Sequence, residues 1–295
     1  MLKSRRMKLG GYLYITPAIV VIAFVMFIPL CYTLFISFFK VDINSGNLTF
    51  VGIDNFIALF NDNIFLLAIK NTLLWTAGSV VFQFLIGFGL ANILNMDSIK
   101  GKTGIRIALM VPWVLPGVVS ALVWQWMYHS DFGIINEILK QLGIIQQSIS
   151  WTSSTDTAMI SAIIINVWKM VPFVILMTEA ALQNVSNELK QAARIDGANS
   201  FKVFRHVTLP SISPTINTVI LLLTIWTMNA FTFIFVLTEG GPAHQTEILS
   251  LYIYRTYFKG YNMGRASAAA AVLFIITAIA ALLYNKYIIG RNREE

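Results

Sequence analysis

Five stretches of this chain run for twenty residues or more without an Asp, Glu, Lys or Arg: 11–39, 71–96, 107–128, 211–238 and 266–285. A helix of about 20 apolar residues crosses a hydrocarbon core about 30 Å thick, so each stretch is long enough to span a bilayer. In lipid the backbone must satisfy its own N–H and C=O groups, and a helix does so within one segment. A sixth segment, 157–182, is apolar apart from Lys169 and Glu179. Six spans leave only loop-sized connections in a chain of 295 residues. The predicted fold is an all-α integral membrane domain with six transmembrane helices. Composition agrees, since 57% of residues are hydrophobic, 12% are charged and the mean hydropathy is +0.70. Soluble domains do not reach such values.

Charge sets the orientation. With the N-terminus inside, the inside segments hold fourteen cations: Lys3, Arg5, Arg6, Lys8, Lys100, Lys102, Arg106, Lys190, Arg194, Lys202, Arg205, Lys286, Arg291 and Arg293. The outside segments hold five, namely Lys40, Lys140, Arg255, Lys259 and Arg265. The positive-inside rule then places both termini in the cytoplasm. This asymmetry accounts for the net charge of +7 and leaves nucleic-acid binding without support. The first apolar run is too long for a signal core and has no small-x-small cleavage site, so no cleaved leader is expected. A lone cysteine, Cys31, permits no intrachain disulfide.

Between the fourth and fifth spans lies a polar island, NELKQAARIDGANSFKVFRHVTLP, residues 187–210. Ser186 can cap a first helix whose opening turn carries Glu188, a carboxylate favoured at the positive end of the helix dipole. Leu189, Ala192, Ala193 and Ile195 form an apolar side rich in small residues. Gly197 can take the left-handed conformation that ends a helix. Asn199 or Ser200 can cap a second run with Phe201 and Phe204 on one face. Pro210 is expected to stop this run from continuing into the next span. A plain connection needs neither two helical patterns nor a glycine hinge, and the island reads as a docking element.

The same stretch resembles the cytoplasmic EAA loop of binding-protein-dependent ABC permeases. The chain supplies Gln191-Ala192-Ala193, Asp196-Gly197-Ala198, Phe204 and Leu209-Pro210 at the matching spacing. It departs from the pattern at Gln191, where the family has a glutamate, and at Ser186-Asn187, where a proline is usual. Further stretches are similar to the sugar-permease branch that contains the maltose permease: 16–38, 50–60, 111–127, 166–185 and 237–258. The last includes the corner Gly240-Gly241-Pro242 with Thr238 and Thr246. The resemblance implies a type I ABC importer permease fold in a bacterial or archaeal inner membrane, crossing it several times. It implies a six-span domain over 11–289 with a coupling loop at 183–212, a cytoplasmic segment 1–10 and a tail 290–295. Its implied partners are a second homologous permease, two ATPase subunits and an extracytoplasmic solute-binding protein. No cofactor is then expected on this chain, because the partner ATPases bind ATP and Mg. The implied solute is a sugar or oligosaccharide; the alternatives are glycerol phosphate or another polar solute, and, in a different class, a membrane enzyme or receptor.

Candidates for the solute pathway lie on the fourth and fifth spans. Asn166, Met170, Phe173 and Met177 recur at helical spacing, with Lys169 adjoining. Trp226 and Asn229 share a face, with Thr227 and Ala230 beside them. Amides, hydroxyls and an aromatic plane suit a sugar ring. By resemblance, the maltose permease lines its site at positions matching Asn166, Lys169, Met170, Phe173, Trp226, Thr227 and Ala230. Most of the identities differ here, which implies a different ligand. The same residues also suit helix packing, in which Asn and Thr bond across helices. Lys169 costs about 2.5–3.5 kcal/mol at mid-span unless it meets water, a partner or the interface. Its openings are a wet cavity, a carboxylate on a second permease, or snorkelling.

Other motifs carry no chemistry. Gly101-Lys102-Thr103 imitates a phosphate loop, but Met96 occupies the required first glycine and a span precedes it. His129, His206 and His244 lack metal-ligand spacing, and neither HExxH nor GxSxG occurs.

Overall fold

The computed structural model describes residues 14–42, 45–96 and 98–286. Segments 1–10 and 290–295 lie outside the described residues. In chain order the elements are α1 (Tyr14–Ile36), a hairpin of β1 (Phe39–Val41) and β2 (Leu48–Phe50), α2 (Asp54–Phe60) and α3 (Asn63–Leu94). Next come α4 (Lys102–Val114), α5 (Gly117–Met127), α6 (Ile134–Gln141), α7 (Ala158–Gln183) and α8 (Asn187–Ile195). The series ends with α9 (Ser200–Met228), α10 (Thr232–Leu237), α11 (Leu249–Tyr254) and α12 (Met263–Tyr284). Five of these helices, α1, α3, α7, α9 and α12, can each cross a membrane, and α4 with α5 supplies a sixth span bent by 98°. The six-span expectation holds.

Three expected boundaries need correction, and proline chemistry explains two of them. The third span is broken, not straight over 107–128. Leu115, the residue before Pro116, is extended at φ −62°, ψ 141°, which is where the proline ring forces it. Pro210 does not stop the second run of the island: Ser200–Met228 is one continuous helix. A wide π turn, Phe204–Thr208, precedes the proline, and the Leu209 N–H closes it on the Phe204 carbonyl. Pro210 has no N–H to lose from the ladder, and the wider turn draws aside the carbonyl its ring would strike. The same device recurs in α1, where the π turn Ala23–Phe27 closes on Ile28 one residue before Pro29. The fifth span also ends earlier than expected, at Met228. Only the short α10 continues toward the corner at 238–242.

The chain divides into two compact units, 1–65 with 252–274 and 66–251 with 275–295. In the first, the hairpin pairs Phe39 with Phe50 and Val41 with Leu48. Asn55 Nδ2 donates to the Ser37 and Phe39 carbonyls at 2.9 and 3.0 Å. Gly264 passes so close to this edge that a Cβ there would lie 2.0 Å from the Phe39 oxygen. Asp62 accepts from Arg265 at 2.5 Å and from the Tyr252 hydroxyl at 2.8 Å. Burial and that carboxylate push the Tyr252 phenol up to about 12, so it stays a donor at physiological pH.

The second unit is organised around α7, the most buried of the candidate spans. Three apolar clusters follow its length. Val80, Phe173, Val174, Val219 and Leu223 form one, and Ala91, Leu94, Val167, Val171 and Ile175 the next. Ala181, Leu182, Val185, Ile212 and Ile216 close the end nearest the island. Gly87 lets α3 approach α7, since a Cβ there would sit 2.5 Å from that of Val174. The Trp75 indole donates to the Thr227 carbonyl at 3.0 Å and ties α3 to the end of α9.

Candidate functional site

The island forms two capped helices. Ser186 Oγ accepts from the Glu188 and Leu189 N–H groups at 3.1 and 3.5 Å, as its place before α8 dictates. At the other end Gly197 takes φ +84°. Its N–H bonds to the Arg194 carbonyl at 3.1 Å and that of Ala198 to Ala193 at 2.9 Å, the paired closure of a Schellman motif. Asn199, rather than Ser200, caps the second helix by accepting from the Lys202 N–H at 2.9 Å. Gln191, Ala192, Asp196 and Pro210 are exposed, and Ala193 and Ala198 are half-buried. Leu189, Ala192 and Ile195 therefore make an uncovered apolar stripe, with Ile195 86% exposed. Phe204 is half-buried and its ring lies 6.3 Å from Phe88 of α3, which anchors the second helix to the spans. Phe201 makes no such anchor and stays exposed.

The intramembrane candidates separate into two groups. Phe173 is 7% exposed and Trp226 44%, with ring centres 5.0 Å apart. Trp113, at the end of α4, also stacks on Phe173 with ring centres 6.0 Å apart and is 40% exposed. Trp113 is not among the sequence candidates, because those lie on the fourth and fifth spans and Trp113 lies on the third. Asn229 is exposed and bonds back to Ile225 at 2.8 Å. Ala230 and Met170 are half-buried. Thr227 and Asn166 are buried. The Asn166 carbonyl accepts from Gln83 Nε2 at 3.3 Å, while its own amide nitrogen has no partner. Both side chains are covered in this conformation.

The two intramembrane charges of α7 find different partners. Glu179 receives Arg106 in a forked contact, with Nη2 at 2.8 Å and Nε at 3.0 and 3.1 Å from its oxygens. Among the described residues Lys169 reaches no carboxylate, Glu179 included. Its ammonium donates to the backbone carbonyls of Pro112 at 3.0 Å, Trp113 at 3.4 Å and Leu115. To the three openings the sequence left for it, the structure adds a fourth: the free end of α4.

The corner at 238–246 is a bonded knot. Thr238 and Thr246 hydroxyls meet at 2.7 Å, Thr246 Oγ1 donates to the Gly241 carbonyl at 2.7 Å, and Gly240 takes φ +84°. Asn71 Nδ2 donates to the His244 and Glu247 carbonyls at 2.9 and 3.1 Å. Thr72 Oγ1 accepts the Leu249 N–H at 2.8 Å. Asn71 and Thr72 looked like ordinary span residues, and their sequence carries no signal of this task.

Six spans, an open capped loop ahead of the fifth and a half-open aromatic wall within the bilayer define a membrane permease subunit. Residues 83–293 match the family described as binding-protein-dependent transport system inner membrane component, and the chain belongs to that family. It is 32% identical to a probable ABC transporter permease protein of Bacillus subtilis over 281 residues, covering 95% of this chain and 96% of that one. It is also 32% identical to the trehalose/maltose transport system permease protein of Thermococcus litoralis over 294 residues, with 100% and 97% covered. Its fold matches a permease of a bacterial ABC transporter that imports the acidic polysaccharide alginate. That match has a TM-score of 0.82 and 23% identity, and covers 99% of this chain and 98% of that one. The fold is thus that of a type I ABC importer permease, and the chain is a multi-pass membrane transport subunit.

Proposed function

We propose that this chain is one of two homologous permeases in an importer that moves a sugar or oligosaccharide, driven by ATP hydrolysed on two partner ATPase subunits. The observation that carries the reading is the open stripe Leu189, Ala192 and Ile195 on a helix closed by Gly197, at the spacing of the family's coupling loop. Glu188, Gln191, Ala192, Ala193, Asp196, Gly197, Ala198, Phe204 and Pro210 are the coupling residues. ATP and Mg sit on the ATPases, and this chain needs no cofactor of its own. The loop and both termini face the cytoplasm, in keeping with the fourteen cations counted there. The domain spans 11–289, with the coupling loop at 183–212.

A binding protein delivers the solute on the opposite side. A related alginate transporter has been solved with a pentasaccharide-bound periplasmic protein, which supports a partner of that kind. ATP closes the ATPases, the docked loop moves, and the two permeases rock between inward- and outward-facing states around one midplane site. A sugar assignment draws on the trehalose/maltose relative and on the aromatic wall, where the C–H face of a ring can lie against Trp226 and Phe173.

Trp226→Ala tests the wall. The indole is half-open, so its loss is expected to spare insertion and assembly while reducing sugar uptake into proteoliposomes at least tenfold. Asn166→Leu, at a packed position, is expected to leave uptake within a few-fold. Unchanged uptake in Trp226→Ala would remove the wall from the pathway.

A further inference from the structure

The connection from α5 to α7 is tied down more closely than a plain loop requires. Asn136 of α6, only 2% exposed, is its hub. Its Nδ2 donates to the carbonyls of Ile149, Ser130 and His129 at 3.0, 3.4 and 3.5 Å. Its Oδ1 accepts the Ile149 N–H at 3.1 Å and the Trp151 indole N–H at 3.0 Å. Thr157 Oγ1 donates to the Ser150 and Trp151 carbonyls, each at 3.0 Å, and Ser161 Oγ to that of Trp151 at 2.9 Å. The Trp151 ring stacks on Tyr128 with centres 5.4 Å apart. Binding residues concentrate on loops that a rigid scaffold positions.

This frame walls a cavity of about 330 Å³, within the roughly 300–1,000 Å³ of small-molecule sites. Its lining joins two chemistries. Gln125, Ser130, Ser150, Thr152 and Ser153 bring an amide and four hydroxyls, and these side chains make no hydrogen bond among the described residues. Beside them stand the half-buried Trp151 and Trp126, which is 75% exposed and has no ring partner among the described residues. Water can meet the hydroxyls, but an indole this open calls for an apolar face. A sugar ring offers both, hydroxyls at its edge and C–H bonds on its face. No Asp, Glu, Lys or Arg lines the cavity, so hydroxyls rather than charges are what it can match.

We propose that this cavity is a saccharide site distinct from the aromatic wall, with Trp126 as the plate under the ring and the amide and hydroxyls as partners of its edge. It lies at the start of α7, the end opposite the island, and Ser161 stands about 18 Å along the helix from Phe173 at about 1.5 Å per residue. Its part in import rests on the importer reading, in which this end is extracytoplasmic and the site holds sugar between the binding protein and the midplane.

In a Cys31→Ser background, Ser153→Cys places a thiol at the cavity. The complex in lipid nanodiscs, without ATP or binding protein, is alkylated with a polar maleimide, and modification of that cysteine is followed by peptide mass spectrometry. Excess maltose or trehalose is expected to slow alkylation about fivefold or more against a salt of equal osmolality. Trp126→Ala is expected to abolish the protection, and Trp226→Ala to leave it intact. Protection that survives Trp126→Ala, or is lost in Trp226→Ala, overturns the distinct site. Absence of protection by both sugars overturns it too, and uptake of the same sugars by the same complex then shows whether the importer reading stands without it. Protection seen only on adding empty binding protein makes the surface a protein contact and overturns the saccharide assignment.

Discussion

Ile195→Glu is expected to leave a folded, inserted subunit that no longer co-purifies with its ATPase partner. Ile195 ends α8 with 86% of its surface open, so nothing inside the chain depends on its side chain. Helix capping by Ser186 and closure by Gly197 use backbone atoms that the substitution does not touch. In the proposed importer the stripe of Leu189, Ala192 and Ile195 would lie against the ATPase. A carboxylate buried there without a counter-charge costs about 2–5 kcal/mol, roughly thirtyfold or more in affinity. Ala192→Glu is expected to behave alike. Recovery of a stoichiometric complex from either variant would show that the stripe is not the contact.

Arg106→Leu is expected to be the most damaging single change within the subunit. Its guanidinium is forked onto Glu179, whose side chain is only 7% exposed. Removing one member of a buried pair strands the other charge, at about 3–5 kcal/mol. The expected readout is a fall in thermal midpoint and in the yield of detergent-purified protein. Glu179→Leu alone is expected to cost less, because the arginine it releases is 36% exposed and can reach water. The double variant Arg106→Leu with Glu179→Leu is expected to regain most of the loss. If the double variant is no more stable than Arg106→Leu, the pair does not act as a pair.

The two predictions draw on information of different origin. The capped helices of the island and their open apolar stripe were legible in sequence, because caps, a glycine hinge and helical spacing are local signals. The spans were legible for the same reason, and α7 lies within one residue of the apolar segment 157–182. Helix α3 starts at Asn63, well before the charge-free stretch at 71–96, since a lysine at 70 interrupts a count of charges but not a helix. The broken third span had its cause in plain view at Pro116, yet a span read by hydropathy looks straight. The pairing of Arg106 with Glu179 crosses 73 residues of chain, and the end-capping by Lys169 depends on a bend no periodicity reveals. The contact of Trp113 with Phe173 crosses between the third and fourth spans, and no spacing within one span reveals it.

ATP hydrolysis by the reconstituted importer tests the central claim most directly. The complex of both permeases and the ATPases is placed in proteoliposomes, and hydrolysis is followed with the binding protein empty and sugar-loaded. Loaded binding protein is expected to raise hydrolysis severalfold and to drive sugar uptake in step with it, and the Ile195→Glu complex is expected to show neither. Sugar crossing at the same rate with and without ATP, or hydrolysis indifferent to loaded binding protein, would contradict the account.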